Sequence, residues 1–203
     1  MTSIAERYGQ VVETINRACS DANREPADVK LVVVTKKQPA QQIIEAYVAG
    51  ARLFGENYPE ETENKIDELK DQIDPEWHMI GHIQSRKTKL VARHFSCVHS
   101  VDRLEIAQRL DSECHSIGRV MPVFLEVNIS GEESKFGFQA RNPAQVDDFL
   151  CVCETIRSCS NLELIGLMTM PPILNRDDNR KVFEKCRILL TMIQASVGIS
   201  SMT

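Results

Sequence analysis

No stretch of this sequence is apolar over enough residues to cross a membrane, and its first residues, Met1 to Glu6, lack the apolar run of a signal peptide. Positive charge is also not in surplus, since 24 Lys and Arg residues stand against 29 Asp and Glu residues and the net charge is -5. A chain without a basic surplus is a poor general binder of nucleic acids and anionic membranes. We therefore expect neither as a partner. The one basic cluster, residues 86–94, is predicted to be a solvated helix face.

Nucleotide-binding and metal-binding motifs are absent as well. None of the nine glycines belongs to a G-x-G-x-x-G or Walker-type loop, which argues against a dinucleotide or nucleotide site. The seven cysteines are odd in number and scattered, unlike a disulfide framework. Cys151 and Cys153 lack the two-residue gap of metal-binding cysteines and have no companion cluster, so we expect no metal site. Reduced cysteines packed as small apolar residues predict a cytoplasmic protein.

The sequence does contain a regular alternation of β-favouring segments and amphipathic helical segments. This alternation is typical of a parallel sheet with helical crossovers. No repeat or linker interrupts it, so we predict a single domain over residues 1–203. An open doubly wound sheet and most of a (β/α)₈ barrel both fit the pattern. The predicted strands are residues 31–35, 52–55, 77–81, 97–100, 121–128 and 162–170, and the tail from Val197 is a candidate seventh strand.

The first predicted strand, Leu31 to Thr35, is the most informative segment. Its consecutive aliphatic residues indicate a strand buried on both faces, and Pro39 opens an amphipathic helix behind it. Two lysines, Lys36 and Lys37, follow the strand at the end where α/β folds place their sites. A dry position there favours a neutral amine, which is the form that attacks carbonyls. Two solvated strand-end charges are the alternative interpretation, and periodicity does not choose between the lysines.

Two helix starts carry capping signals. Asp102 with Glu105 predicts a capping box, and Asn142 before Pro143 predicts an N-cap followed by proline in the first turn. Polar residues also follow each predicted strand, which is the arrangement of the catalytic face of a barrel. They are Lys36, Asn57, His82 with Gln84, Asp102 with Arg103, Ser130 with Lys135, and Thr169.

Several motifs in a fixed order give the chain a resemblance to a known family. They are Val34-Thr35-Lys36-Lys37-Gln38-Pro39, Phe54-Gly55-Glu56-Asn57-Tyr58, Trp77 to Lys87, His99-Ser100-Val101-Asp102-Arg103, Glu126 to Ser130 with Ser134 to Gly137, and Gly166-Leu167-Met168. At these spacings the chain resembles the YggS/PROSC-type pyridoxal 5′-phosphate (PLP) homeostasis proteins from its first helix to its last residue.

The resemblance implies a fold, a cofactor and a role. The fold would be a TIM-barrel-like PLP-binding barrel, similar to the N-terminal domain of alanine racemase. PLP would be held as a Schiff base on Lys36, with Asn57, His82, Ser130 and Met168 near the cofactor and Lys135 as a nearby second amine. The role would be that of a monomeric PLP carrier or buffer without ordinary catalytic turnover. Its transient partners would be apo PLP-dependent enzymes.

Two other functions remain compatible with a lysine at a strand end. A PLP-dependent racemase needs a second acid/base residue, which racemases of this fold take from a second domain, and 203 residues leave no room for that domain. A cofactor-free Schiff-base aldolase would also use a barrel lysine, although the motif set points away from it. Fold analogy alone is a weaker argument than the site residues.

The chain departs from the family pattern in two places. Where the family usually reads Ser-Lys-Thr-Lys-Pro, this chain has Thr35 in place of the serine and Gln38 in place of the second lysine, which are mild changes. The family continues with Ser-Met-Gly-Met-Ser and a further strand that together supply a phosphate cradle. This sequence stops at Ser201-Met202-Thr203. We therefore expect a truncated product that lacks the last strand or strands of the barrel, with an open sheet edge prone to association.

Overall fold

The computed structural model describes residues 2–132, 135–171 and 175–197. Within these residues the fold is α/β, with seven α-helices and seven strands, and each strand pair whose register is defined is parallel. The chain forms two compact units, Met1–His78 and Met79–Thr203. The single domain predicted from the sequence stays a prediction.

The first unit alternates helices and strands as predicted. Its elements are α1 (Ile4–Asp21), β1 (Val32–Val34), α2 (Ala40–Val48), β2 (Leu53–Glu56), α3 (Pro59–Leu69) and all but the last residue of β3 (Glu76–Met79). Strand β1 pairs in parallel with β2, with Val32 opposite Leu53 and Val34 opposite Gly55. Because the two strands run in the same direction, the residues that follow them lie at the same edge of the sheet.

The prediction that the first strand is buried on both faces is wrong. Strand β1 has three residues, of which Val32 and Val33 are half-buried and Val34 is 50% exposed. Among the described strands β1 pairs with β2 alone, so its other flank is not covered by a neighbouring strand. In α2, Ile43 is buried, whereas Val48 is 80% exposed. The run of aliphatic residues therefore predicted the strand correctly and its burial incorrectly.

The core of the first unit contains an aromatic pair. Phe54 is fully buried, and its ring centroid lies 5.8 Å from that of Trp77, the only tryptophan of the chain. We expect Phe54→Ala to lower the free energy of unfolding by about 3–5 kcal/mol, because it removes a buried ring and leaves a cavity. Urea unfolding followed by Trp77 fluorescence measures the change. Val48→Ala, at an exposed position of α2, is the control and should shift the free energy of unfolding by less than about 0.5 kcal/mol. Equal losses in the two variants would contradict the assignment of Phe54 to the core.

The second unit is built around a long strand. Its elements are α4 (Thr88–His94), β4 (Cys97–Val101), α5 (Leu104–Ser116), β5 (Met121–Asn128), β6 (Phe138–Gln139), α6 (Pro143–Arg157), β7 (Leu162–Met168) and α7 (Arg176–Val197). Strand β5 pairs in parallel with β4, β6 and β7. Among the residues that the structure describes, no helix separates the short strand β6 from β5, so the alternation expected from the sequence is interrupted there.

One predicted cap is confirmed and one is wrong. The Asn142 side chain accepts a hydrogen bond from the Gln145 backbone N–H at 3.0 Å, so Asn142 caps α6. Helix α5 begins after Arg103 without a side-chain cap. The Asp102 carboxylate, expected to cap this helix, instead accepts hydrogen bonds from side chains outside it, and that tertiary pairing replaces the local one.

Three further expectations concern the tail, the cysteines and the membrane. Val197 ends α7, and the rest of the candidate seventh strand, residues 198–203, lies outside the described residues. All seven cysteines are free, as predicted, and burial raises the pKa of the Cys153 thiol to about 12, which keeps it protonated. Cys151 is exposed, against the expectation that the cysteines pack as apolar residues. In the described part of the chain no helix has the length and apolar character required to span a bilayer.

Candidate functional site

A tight turn carries the two candidate lysines at the carboxyl end of β1. The Gln38 backbone N–H donates to the Thr35 carbonyl at 3.0 Å, which places Lys36 and Lys37 at the two central positions of a β-turn. Lys37 has φ 59°, a left-handed conformation that turns of this kind normally assign to Gly or Asn. The backbone therefore places the two neighbouring lysines in different conformations, which periodicity did not indicate.

The Lys36 side chain carries an amine exposed to solvent. The residue is exposed, and across residues 2–132, 135–171 and 175–197 its side chain has no hydrogen bond or ion pair. The dry surroundings expected for this amine are not found, because β1 is short and only half-buried beneath it. The position at a strand end is as predicted, and the expected burial is wrong.

Asn57 occupies the corresponding position after β2. It is half-buried, and its Oδ1 atom is inaccessible to solvent and accepts no hydrogen bond from any described residue. A buried acceptor without a donor costs free energy, so such an atom requires an explanation. A bound molecule that donates a hydrogen bond to Asn57 would provide one.

An ion cluster that sequence reasoning missed lies under these two strand ends. Lys65 of α3 donates to Glu56 Oε1 at 2.6 Å, lies 2.7 Å from Glu61 Oε1 and donates to the Thr35 carbonyl at 2.9 Å. Glu61 Oε1 also accepts a hydrogen bond from the Lys37 backbone N–H at 2.9 Å. Burial alone would raise the pKa of Glu61, but the hydrogen bonds from Lys65 and Lys37, with their charges, lower it below its ordinary value. The i, i+4 spacing of Glu61 and Lys65 was the available sequence signal.

In the second unit, His82 belongs to a hydrogen-bonded group. Its Nδ1 lies 2.7 Å from Asp102 Oδ2, and Arg103 donates to Asp102 Oδ1 at 2.6 Å and to the Ile83 carbonyl at 2.9 Å. The imidazole stacks on the Phe136 ring with 3.9 Å between centroids. These contacts hold the orientation of the His82 ring, so its Nε2 has a defined direction.

Ser130 lies in a loop arranged by Asn128, the last residue of β5. The Asn128 side chain donates to the Glu132 carbonyl at 2.8 Å and accepts from the Gly131 N–H at 2.8 Å. Lys135 forms an ion pair with Glu132, lies 3.5 Å from Ser130 Oγ and donates to the Met170 carbonyl at 3.3 Å. The structure thus places Lys135 beside Ser130. Asn128 lies in the Glu126 to Ser130 motif, but its hydrogen bonds to the loop were not predicted from the sequence.

Met168, the fifth predicted site residue, ends β7 opposite Glu126 of β5. Burial, with a smaller contribution from the charge of Asp102, raises the pKa of Glu126 to about 7. Met168, His82 and Ser130 therefore belong to neighbouring groups at one end of the second unit, while Lys36 and Asn57 follow adjacent strands of the first. The sequence signal for Glu126 was a single carboxylate in an otherwise apolar strand.

A close backbone approach fixes the segment that follows this loop. Gly137 has φ 109°, and a Cβ atom there would lie 2.8 Å from the Glu126 carbonyl oxygen and 3.0 Å from the Asn128 nitrogen. We expect Gly137→Ala to lower the free energy of unfolding by about 2 kcal/mol, through both strain and overlap. Urea unfolding midpoints would measure the change. Gly9→Ala in α1, where an added Cβ would meet no described atom within 4 Å apart from the adjacent helix backbone, should be neutral or stabilising. A Gly137→Ala midpoint equal to that of wild type would contradict the overlap.

Comparison with known proteins places the chain in a family. A model of the alanine racemase N-terminal domain matches residues 12–200. A pyridoxal phosphate homeostasis protein of Pseudomonas aeruginosa is 41% identical over 203 residues, which cover 100% of this chain and 85% of that protein. The corresponding protein of Escherichia coli K12 is 38% identical over 173 residues, or 84% of this chain and 71% of the relative. The chain belongs to the alanine racemase N-terminal domain family and, within it, to the pyridoxal phosphate homeostasis proteins.

Solved structures agree with this assignment. PipY of Synechococcus elongatus PCC7942, solved with PLP bound, has a TM-score of 0.78 at 30% identity, and the match covers 93% of this chain and 85% of PipY. Alanine racemase of Corynebacterium glutamicum has a TM-score of 0.68 at 15% identity over 98% of this chain and 51% of the racemase, which indicates the fold alone. The predicted fold class, an α/β fold of the alanine racemase N-terminal barrel type, is confirmed.

Proposed function

We propose that this protein binds PLP covalently through Lys36 and acts in PLP homeostasis as an intracellular carrier or buffer. The observation that carries the proposal is the Lys36 amine, which is exposed at the carboxyl end of a parallel strand and has no partner among the described residues. PipY, a 30% identical protein with a TM-score of 0.78, has been solved with PLP bound, which supports the choice of cofactor.

The residues around Lys36 fit this cofactor. PLP supplies an aldehyde, with which a neutral primary amine condenses to a Schiff base with loss of one water. The unsatisfied Oδ1 of Asn57 offers a hydrogen-bond acceptor at the neighbouring strand end. On the basis of the family motifs, we also propose His82, Ser130 and Met168 as cofactor-binding residues.

Borohydride trapping tests the proposal. The purified protein is incubated with PLP, reduced with borohydride and digested, and the peptides are identified by mass spectrometry. We expect a pyridoxyl group on Lys36. Labelling spread evenly over the exposed lysines would contradict a specific site. Trapping of an aldehyde substrate without PLP would instead favour a Schiff-base aldolase, and interconversion of alanine or serine enantiomers would favour a racemase.

The carrier role requires a second measurement. We propose that the protein is a cytoplasmic monomer that passes PLP to apo-enzymes during transient encounters. The loaded protein is mixed with an apo PLP-dependent enzyme, and recovery of enzyme activity is followed as the concentration of the loaded protein is raised. A recovery rate that rises with this concentration supports transfer during an encounter. A rate that stays at the spontaneous release rate of PLP would mean storage without direct transfer.

A further inference from the structure

Lys65 carries a buried ammonium group to which the proposed function assigns no role. The residue is 6% exposed, and its Nζ is shared by Thr35, Glu56 and Glu61 at 2.9, 2.6 and 2.7 Å. A lysine ammonium has three donor hydrogens, so these contacts use all of them. Lys65 is therefore not available as a second amine for a carbonyl ligand.

The contacts of Lys65 reach the two strand ends that bear candidate cofactor residues. Thr35 immediately precedes Lys36, and Glu56 immediately precedes Asn57. The Thr35 hydroxyl also donates to Glu56 Oε1 at 2.9 Å, which ties the ends of β1 and β2 to each other. One ammonium thus holds the backbone next to Lys36 and the side chain next to Asn57.

The same ammonium supports the turn itself. Glu61, whose carboxylate oxygen lies against Lys65, accepts the backbone N–H of Lys37, which has the strained φ of 59°. A non-glycine residue remains in such a conformation only where surrounding contacts hold it there. Lys65 therefore acts on the Lys36 turn from two sides, through the Thr35 carbonyl before it and through Glu61 at Lys37.

Stability alone does not account for this cluster. Glu56 is fully buried, and its second carboxylate oxygen, Oε2, lacks a hydrogen-bond partner within the described ranges. Desolvating such a pair is expensive, and well-packed apolar residues often stabilise a fold as well or better. A buried ion cluster retained under a site is better explained by the geometry that it imposes.

We propose that Lys65 is a positioning residue that holds the Lys36 turn in the conformation that accepts a carbonyl ligand. This inference rests on the proposed role of Lys36 in PLP binding. Lys65 does not touch the ligand. It acts by fixing the direction in which Lys36 leaves the sheet and the distance between the ends of β1 and β2, so that the amine is preorganised for attack.

The test compares two variants with wild type. Lys65→Met removes the ammonium and leaves Glu56 buried and unpaired, so both folding and positioning are affected. Lys65→Met combined with Glu56→Leu replaces the pair by apolar side chains and should recover the unfolding midpoint. We expect the rate of PLP attachment to fall about tenfold or more in both variants, because only the geometry of the turn is lost in the second. Lys70→Met, at the exposed end of α3, is the matched lysine control and should behave as wild type.

A second readout does not depend on PLP. Brief acetylation with acetic anhydride, mapped by mass spectrometry, gives the labelling ratio of Lys36 to Lys37 in each variant. We expect this ratio to change in both Lys65 variants and to stay constant in Lys70→Met. Recovery of the attachment rate and of the labelling ratio together with stability in the double variant would overturn the proposal. If wild type forms no PLP adduct at Lys36, the proposed function fails, and the labelling ratio still decides whether Lys65 positions the turn.

Discussion

Replacing Lys36 by alanine is expected to reduce the borohydride-trapped PLP adduct to the level of nonspecific lysine labelling. The Lys36 amine is exposed, has no hydrogen bond or ion pair within the described ranges and lies at the first central position of the turn. Removing it takes away the nucleophile, and a shift of the neighbouring backbone cannot restore the covalent bond to PLP. Intact mass after reduction, followed by peptide mapping, measures the loss.

Lys37→Ala is the matched control for this prediction. Lys37 is the adjacent residue and is also exposed, but its backbone is held at φ 59° with its N–H bound to Glu61. We expect the control to retain the adduct on Lys36. Loss of the adduct in Lys37→Ala with retention in Lys36→Ala would reverse the assignment of the two lysines, which periodicity alone left open.

Glu126→Gln is expected to stabilise the protein in a pH-dependent manner. Burial first, and the Asp102 charge second, raise the pKa of Glu126 from 4.5 to about 7. Below pH 4.5 both the folded and the unfolded state bind the proton, so the carboxyl group has little effect on stability. As the pH rises from 4.5 to 7 the unfolded state loses the proton first, and stability falls until the folded state also ionises. The wild type therefore carries its full penalty above about pH 7.

Glutamine removes this penalty because it does not ionise. We expect the free energies of unfolding of Glu126→Gln and wild type to be similar near pH 4.5 and to differ in favour of the variant by on the order of 2–3 kcal/mol at pH 8. Urea unfolding at the two pH values measures the difference. Glu163→Gln, at an exposed position of β7, is the control and should shift the free energy of unfolding by less than about 0.5 kcal/mol at either pH. A gain for Glu126→Gln that is the same at both pH values would contradict the raised pKa.

Glu126 also bears on the proposed site. It pairs in register with Met168, and its pKa responds to Asp102, the partner of His82. A carboxyl group that titrates near neutral pH can hold or release a proton in the working range of the protein. The charge of Glu126 therefore changes between pH 6 and 8. PLP binding should be measured across the same pH interval.

Local signals in the sequence were sufficient for several features. The alternation of strands and helices, the start of α2 after Pro39 and the cap of α6 by Asn142 depend on contacts within a few residues, and all three are found. Burial was harder to predict. Val34 and Val48 have the apolar side chains of core residues but are exposed, because burial depends on which element covers a residue and not on the residue itself.

The sequence by itself determined the class of fold and the polar residues that follow its strands. Through its motifs it also determined the family. Only the tertiary structure decided the partners of the charged side chains. Lys65 reaches Thr35 across 30 positions of sequence, and Asp102 pairs with His82 across 20 instead of capping its own helix. Helical and strand periodicities report contacts between near neighbours. The partner of a buried charge is set by the packing of separate elements, where desolvation makes every unpaired ion costly, and no local pattern records that packing.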